Sequence, residues 1–467
     1  MGRIPGVVLD VELSAPLPSV AAVDALGNRA DAAWVIVRLF TEPLAMVTID
    51  LPDDGLTPAD LLAATATAAG ADAIGRRLTE VGLAPDALTV HGVVPAHVPP
   101  FIADRNHALA AEQPVTVVIC TREHPDELRA CLASLVDQEY DRFDVLVVDN
   151  APTSDRTRHV VDEFVGRLAI RYTVEPRPGL SRARNHAIAA LSHEPADRVV
   201  AWTDDDVRVD RHWVGEVART FVENPAAAAM SGAVVPAELR TQAQVWFEQF
   251  GGHSKGRGFT PDAFGPVNSF QPPRMPWVKR PRQESVEKNS WTEQSPLYPL
   301  PAYGVGANMA FRLAALRRLG GFDEALGAGT PAQGGEDTLV FSRLLHGGAV
   351  TLYRPSALVR HVHRPDLDGL RRQMAGYGSG LTAYYAALIR HDPRVVLELV
   401  RLVPRALRDL TSKDSVRVST VREDFPPGLF AANRRGLLVG VWRYLRGRRA
   451  LRGRAVTAAP KTAVGLR

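Results

Sequence analysis

The stretch Trp202–Val207, with the sequence W-T-D-D-D-V, follows the apolar run Val199–Ala201. An apolar run that ends in acids is typical of a β-strand whose carboxylates lie at the C-terminal edge of a sheet. Ligands bind at that edge in open α/β folds, so Asp204–Asp206 are predicted to border a ligand site. Three adjacent carboxylates repel one another, and a divalent cation such as Mg²⁺, Mn²⁺ or Ca²⁺ is the usual compensation. The alternative is a solvated acidic turn or a helix N-terminus, which also favours aspartate.

Length and composition indicate a globular protein of two or three domains. The chain has 467 residues, of which 46% are hydrophobic and 23% charged, with a net charge of +3. Two cysteines, Cys120 and Cys131, do not make a disulfide framework, which fits a reducing compartment. The N-terminus lacks the apolar core of a secretory signal, and no run approaches about 18 apolar residues. We therefore expect a cytoplasmic protein.

Composition and patterning divide the chain into segments. The expected segments are a small α/β domain at 1–98, a linker at 99–113, a larger domain at 114–365 with a long loop insertion at 253–301, and a helical, arginine-rich region at 366–467. In the first domain, the runs Ala33–Leu39 and Leu44–Ile49 predict a β-hairpin. Thr57 followed by Pro58 predicts the start of an alanine-rich helix. The first domain is interpreted as a docking, oligomerisation or capping module.

Strand-like and helical patterns alternate in the larger domain. The strands are predicted at 115–120, 144–148, 170–174 and 199–203. Strand, helix and strand at this spacing indicate a parallel sheet with right-handed crossovers. The predicted fold class is therefore α/β, with a mainly parallel sheet and helices on both faces.

Six motifs occur in order along the larger domain. They are V-T-V-V-I-C-T-R at 115–122, L-V-V-D-N at 146–150, P-G-L-S-R-A-R-N at 178–185, W-T-D-D-D-V at 202–207, G-V-G-A-N-M-A-F-R at 304–312 and G-G-E-D at 334–337. In this order and spacing they resemble the family-2 glycosyltransferases, whose catalytic domain has the Rossmann-like GT-A fold. The resemblance covers roughly residues 114–365. It implies a nucleotide-sugar donor, a divalent metal (Mn²⁺ or Mg²⁺) and inversion at the anomeric carbon.

The resemblance places the nucleotide on the first three motifs. It implies that Thr121 and Asp149 hold the nucleobase, although Asn150 stands where many members have a second aspartate. A glycine-rich turn before a helix suits phosphate, and an arginine adds a charge-assisted fork. Arg184 matches the family's A-R-N and is expected to contact the pyrophosphate in preference to Arg182. The alternatives are a strand-end turn for Asp149 and a solvated helix charge for either arginine.

The D-D-D motif matches the family's D-x-D. The resemblance implies that Asp204 faces the ribose and the metal, that Asp205 belongs to the donor site, and that Asp206 ligates the metal. Relatives often carry a metal-binding or phosphate-binding histidine near the position of His361-Val362-His363. Alternation puts both histidines on one face, and His361 is chosen as the ligand over His363. A structural histidine is the alternative.

The last two motifs are expected to face the acceptor. Glycines allow close approach of the backbone to a ligand, and the family's loop here borders the sugar and the acceptor, which implies roles for Gly306 and Asn308. The resemblance implies that Asp337 is the general base and that Glu336 is a supporting acceptor contact. The alternative for the glycine loop is a bend before the following helix. The alternative for Glu336 and Asp337 is that they only stabilise the helix dipole.

The predicted reaction is transfer of a sugar from a nucleoside-diphosphate sugar to a hydroxyl of a glycan or lipid-linked glycan, in cell-envelope polysaccharide synthesis. One rival is a nucleotidyltransferase, but its usual G-x-G-x-R loop is replaced by Cys120–Glu123. A non-catalytic nucleotide-sugar-binding scaffold is the other rival.

The basic tail offers a separate prediction. Arg434–Arg454 has an apolar helical face rimmed by arginines, which indicates peripheral contact with an anionic membrane at the inner face of the cell membrane. The alternative is a helix docked on the larger domain. Few aromatics interleave with these arginines, so nucleic-acid binding is not expected.

Overall fold

The computed structural model describes residues 3–254, 257–265, 304–411 and 424–457. The predicted insertion at 253–301 lies outside the described residues from residue 266 onward, as do residues 255 and 256. Among the described residues, no helix combines the length and apolar composition needed to cross a bilayer.

The N-terminal unit is a small sheet covered by helices. Its elements are β1 (Arg3–Ile4), β2 (Val7–Glu12), β3 (Arg29–Ala30), β4 (Ala32–Leu39), β5 (Glu42–Asp50), α1 (Pro58–Ala69) and α2 (Ala71–Glu80). Strands β4 and β5 pair antiparallel, so the predicted hairpin is confirmed. Thr57 caps α1 by accepting from the Asp60 N–H, as predicted, and the Asp60 carboxylate accepts from the Thr57 N–H in return.

Helix α3 (Pro100–Leu109) occupies most of the segment predicted as a linker. The Arg219 guanidinium, from the larger domain, lies over the ring of Phe101 in α3 with its central carbon 4.8 Å from the ring centroid. The N-terminal sheet also reaches the larger domain, because Arg38 donates to the Asp210 carboxylate at 2.6 Å. These contacts attach the first unit to the side of the larger domain.

The larger domain is built on one mixed sheet. Its strands are β6 (Val115–Thr121), β7 (Phe143–Asn150), β8 (Ile170–Glu175), β9 (Val199–Asp204), β10 (Val207–Val209), β11 (Ala227–Pro236), β12 (Asp262–Phe264), β13 (Asn308–Arg312) and β14 (Val350–His361). They lie in the order β10-β14-β11-β13-β9-β6-β7-β8, with β12 beside β14. Strands β6, β7, β8, β9, β11 and β14 run in one direction, and the other described strands oppose them. The predicted mainly parallel α/β fold is confirmed.

Helices cover both faces of this sheet. They are α4 (Pro125–Val136), α5 (Arg156–Asp162), α6 (Leu180–Ala190), α7 (Trp213–Glu223), α8 (Gln242–Gln249), α9 (Leu313–Leu319) and α10 (Glu336–His346). Alternate residues of β6 enter different cores: Val117 and Ile119 pack with α4 and α7, whereas Val118 packs with α6 and α10. Burial on both faces explains why the parallel strands are continuous apolar runs.

The C-terminal region is helical, as predicted, with α11 (Leu367–His391), α12 (Val395–Thr411) and α13 (Pro427–Thr457). Helices α11 and α13 approach backbone to backbone through glycines. A Cβ on Gly378 would lie 2.0 Å from the Asn433 carbonyl oxygen, and one on Gly436 would lie 2.2 Å from that of Ala375. Helix α11 also contacts the loop before α10, because a Cβ on Gly335 would lie 2.6 Å from the Gly380 carbonyl oxygen.

Candidate active site

Two carboxylates and one imidazole meet at the carboxyl edge of the sheet. Strand β10 pairs antiparallel with the end of β14, and this register sets Val207 opposite His361. As a result, the His361 Nε2 lies 3.3 Å from the Asp206 Oδ1. One ligand atom from each of Asp204, Asp206 and His361 lies within 4.8 Å of the others, which is a geometry that could hold a metal ion.

The two histidines of this strand end have different partners. Burial lowers the pKa of His361 to about 4, so its imidazole is neutral near pH 7 and can act as a ligand. His363 turns its Nε2 to the Glu248 carboxylate at 2.7 Å and its Nδ1 to that of His361 at 3.3 Å. His253 lies beside them, with its ring centroid 4.3 Å from that of His361. Sequence reasoning missed Glu248 and His253, because neither belongs to a motif: Glu248 lies in α8 and His253 in the irregular segment after it.

Asp205 points away from its two neighbours. It is buried and accepts a 2.6 Å hydrogen bond from the Thr121 hydroxyl, with the His124 Nδ1 at 3.2 Å. This contact raises the pKa of His124, chiefly through the hydrogen bond with Asp205. The structure thus joins two predicted donor-site residues to each other, and their contacts with a nucleotide stay predictions.

Asp149 is buried at the end of β7. Its Oδ2 accepts from the Tyr172 hydroxyl at 2.8 Å, and its Oδ1 has no hydrogen-bond partner among the described residues. Burial raises the pKa of this carboxyl, which the Tyr172 and Thr157 hydroxyls partly offset. This Oδ1 could accept a hydrogen bond from an N–H donor, such as an N–H of a nucleobase.

Arg184 links α10 to the cluster of Asp204, Asp206 and His361, which we call the metal-type cluster. It is 2% exposed, and its guanidinium donates to the Glu336 carboxylate at 2.9 Å and lies 3.6 Å from the Asp204 Oδ1. Burial raises the pKa of Glu336 to about 7, and the neighbouring Asp337 adds to the shift. Gly306 leaves room for this guanidinium, because a Cβ there would lie 2.7 Å from the Arg184 Nη2 and would displace it.

Glu336 has a role that was not predicted, because its buried carboxylate pairs with Arg184 and supports that arginine. Its predicted contact with an acceptor stays a prediction. Asp337 is half-buried at the start of α10. Its Oδ2 accepts from the Gly306 N–H at 2.8 Å, and its Oδ1 accepts from the Thr338 N–H at 2.6 Å.

The predicted role of Asn308 in donor binding is corrected. Its side chain is buried and donates to the Ala233 and Ala357 carbonyl oxygens at 2.8 and 2.7 Å. Its Oδ1 accepts from the Trp213 indole N–H at 2.9 Å. Both amide hydrogens are used within the core, so this side chain ties β13 to β11, β14 and α7.

A cavity of about 290 Å³ lies in front of Asp337 and is lined by Asp204, Arg184 and the loop from Gly304 to Ala307. Its opposite wall is largely apolar and comes from α11 and the end of α8. The side chains of that wall are Phe250, Tyr377, Leu381, Tyr384 and Tyr385. Sequence reasoning missed this wall because aromatic residues at helical spacing are ordinarily core residues.

The family model described as "Glycosyl transferase family 2" matches residues 116–268, which include the ends of β6, β7 and β9 and the D-D-D motif. This part of the chain is similar to glycosyltransferase family 2. The chain also resembles "Pre-mycofactocin glycosyltransferase" of Mycobacterium tuberculosis, with 28% identity over 270 residues, 56% of this chain and 46% of that protein. It also resembles "Glucosyl-dolichyl phosphate glucuronosyltransferase" of Haloferax volcanii, with 26% identity over 140 residues, 29% of this chain and 43% of that protein. The match therefore spans less than half the length of either relative.

Solved structures give weaker matches to this chain. The mannosyltransferase PcManGT of Pyrobaculum calidifontis, in complex with GDP-Man and Mn²⁺, is 17% identical over 77% of this chain and 85% of that one, with a TM-score of 0.39. S. aureus TarS 1-349 in complex with UDP is 15% identical over 73% of this chain and 91% of that one, with a TM-score of 0.35.

Proposed function

We propose that the protein transfers a sugar from a nucleoside-diphosphate sugar to an acceptor hydroxyl. One observation carries this proposal: Asp204, which belongs to the metal-type cluster, and Asp337, the candidate base, line the same cavity. Similarity to the glycosyltransferase family 2 model over residues 116–268 supports the donor class. The cavity therefore has room for the reacting groups of donor and acceptor between an acidic edge and a separate carboxylate.

The cluster of Asp204, Asp206 and His361 suits a divalent cation. Two carboxylates and a neutral imidazole are a donor set that fits Mn²⁺, and Mg²⁺ is the alternative for the carboxylates. Burial, with Asp206 and Asp205 adding to it, raises the pKa of Asp204 to about 7 although Arg184 opposes the shift. This repulsion is what a cation would relieve. When bound, the ion would supply positive charge to the leaving diphosphate.

Other protein groups are placed to contact the nucleotide sugar. Arg184 brings a buried positive charge to within 3.6 Å of the Asp204 carboxylate, beside the position proposed for the diphosphate. Asp149 offers its Oδ1 to an N–H of the base. Thr121 and Asp205, joined by their own hydrogen bond, are proposed to contact the nucleotide as well.

Asp337 is proposed as the general base. The Gly306 and Thr338 N–H groups orient its carboxylate towards the cavity, and an acceptor hydroxyl beside it could lose its proton to this carboxylate as the oxygen attacks. Direct attack on the anomeric carbon, without a covalent intermediate on the protein, inverts the configuration. Glu336 contributes by holding Arg184.

The acceptor is proposed to be a lipid-linked glycan of the cell envelope. The apolar wall of Phe250, Leu381 and Tyr385 would contact a non-sugar part of the acceptor, because such side chains favour apolar groups.

The outer face of α13 supports a peripheral contact with an anionic membrane. Leu438, Val441, Trp442 and Leu445 are exposed, and the Arg446 guanidinium lies over the Trp442 ring at 5.4 Å. The opposite face, with Gly436, packs on α11. One helix can therefore dock on the protein and present an apolar row with arginines to lipid headgroups.

A thermal-shift screen of nucleotide sugars with Mn²⁺ tests the donor and metal proposals together. A matching donor at about 100 times its Kd should add about 2.7 kcal/mol of stability. The gain should vanish in excess EDTA and in Asp206→Ala, because the phosphates would then face uncompensated carboxylates. Asp86→Ala removes an exposed carboxylate of the N-terminal unit and is the matched control. Full stabilisation and transfer in excess EDTA would exclude the metal site.

A further inference from the structure

A second cleft of about 630 Å³ lies where α6, α10, the end of α11 and α13 meet. It shares no lining residue with the cavity in front of Asp337. Five arginines line it, against two carboxylates. The arginines are Arg177, Arg182, Arg343, Arg390 and Arg448, and the carboxylates are Asp323 and Glu324. We call it the arginine cleft.

Both carboxylates already accept hydrogen bonds from side chains of the protein. Glu324 accepts from Arg182 at 3.2 Å. Asp323 accepts from the Tyr444 hydroxyl at 2.8 Å and lies 3.5 Å from Arg448. Burial alone would raise the pKa of Asp323, but the nearby His391 and hydrogen bonds from the Ala325 N–H and the Tyr444 hydroxyl outweigh it and hold the value at about 2. Asp323 is therefore ionised, yet its charge is shared among several donors.

Positive charge remains uncompensated in the cleft. The guanidinium groups of Arg343 and Arg390 form no ion pair or hydrogen bond with the residues that the structure describes. Arg343 is half-buried, and burial lowers its pKa. The Arg448 Nε is buried without an acceptor in the same described set. Buried donors and charges without partners are costly, so this arrangement favours an anion in the cleft.

We propose that the arginine cleft binds a phosphate-bearing anion. Guanidinium groups present paired N–H donors that match the geometry of phosphate oxygens. An anion there would connect Arg343 of α10, the helix that begins with Glu336 and Asp337, to Arg390 of α11 and Arg448 of α13. The phosphate can belong to a free compound or to the headgroup of an anionic phospholipid, because α13 also exposes Leu445 near Arg448.

Inorganic pyrophosphate in excess EDTA is the first probe. Without metal the acidic cluster repels pyrophosphate, so binding reports on the arginine cleft and does not depend on sugar transfer. Calorimetric titration should show one saturable site in the wild-type chain, with affinity reduced at least tenfold in Arg343→Gln and in Arg390→Gln. Arg390 is exposed, so its substitution leaves the fold intact even where Arg343→Gln does not. Arg318→Gln removes an exposed charge from nearby α9 and should bind as the wild type does.

Vesicles distinguish the two sources of the phosphate. If the ligand is a lipid headgroup, Arg390→Gln should weaken binding to phosphatidylglycerol vesicles at least fivefold more than Arg318→Gln does. If it is a free phosphate compound, both variants should bind vesicles equally while only Arg390→Gln loses pyrophosphate. Absence of a saturable site in the wild type, or equal pyrophosphate affinity in all variants, would overturn the proposal.

Discussion

Asn308 shows how a residue inside a functional motif can serve the core. Its amide satisfies three buried groups that belong to three different elements. The same motif places Gly306 against Arg184 and Asp337. Within one motif, Asn308 therefore serves the packing of the core, whereas Gly306 lies in the candidate active site.

Asn308→Leu keeps the volume of this side chain and removes its hydrogen bonds. The Trp213 N–H and the Ala233 and Ala357 carbonyls would be left buried without partners, so the free energy of unfolding should fall by about 3 kcal/mol or more. Urea denaturation measures this change. If Asn308 bound the donor instead, stability would hardly change and nucleotide affinity would fall.

For single residues, the sequence predicted those side-chain positions that depend only on the local geometry of a strand. Alternation along an extended strand placed Asp204 and Asp206 on one side, and they lie together with His361. The ion pair of Arg184 with Glu336 joins residues 152 positions apart, and no local pattern carries such a contact. The same limit explains why the pairing of Glu336 with Arg184 was not foreseen.

Among the elements, α11 and α13 are distinguished by glycines that would weaken an isolated helix. G-Y-G-S-G at 376–380 lies in α11. The glycines let the backbone of α13 and the loop at Gly334–Gly335 approach closely, and this contact places α11 as the wall opposite Asp337. Composition predicted helices here, but the packing partner of a glycine-rich face depends on tertiary structure.

Gly378→Ala tests this packing. The new methyl group would lie 2.0 Å from the Asn433 carbonyl oxygen, and overpacking of this kind should cost about 1–3 kcal/mol or more. Gly428→Ala is the matched control in α13, because its methyl would meet only the Arg371 side chain at 3.9 Å. The control should be neutral or stabilising by up to about 1 kcal/mol, since alanine favours a helix. Equal melting temperatures for the two variants would contradict the close approach.

For the whole molecule, the arrangement is an α/β domain with a small N-terminal unit on one side and the α11–α13 pair against its cavity. Four strands of the sheet followed from the alternation of strand-like and helical patterns, and the fold class was predicted correctly, whereas the order of the strands comes from the structure. The attachment of the N-terminal unit was not predicted, because it depends on single contacts such as Arg38 with Asp210. The exposed row on α13 would orient the whole protein on a membrane.

Leu438→Glu tests this orientation. Leu438 is 84% exposed, so the substitution should leave the fold intact and weaken binding to phosphatidylglycerol vesicles about tenfold or more, through loss of apolar burial and added repulsion. Leu26→Glu, at a position 69% exposed in the N-terminal unit, is the matched control and should bind as the wild type does. Added salt should weaken binding of the intact protein. Equal vesicle binding by both variants would show that α13 only docks on α11.

The central claim, that Asp337 activates the acceptor in a sugar transfer, is tested most directly by the turnover and nucleotide affinity of Asp337→Asn. The amide oxygen can still accept one of the two N–H groups that orient this side chain, but it cannot take a proton. Turnover should therefore fall about 10²–10⁴-fold while donor affinity stays within about twofold of the wild type. A turnover near that of the wild type would contradict the claim and remove Asp337 from the mechanism.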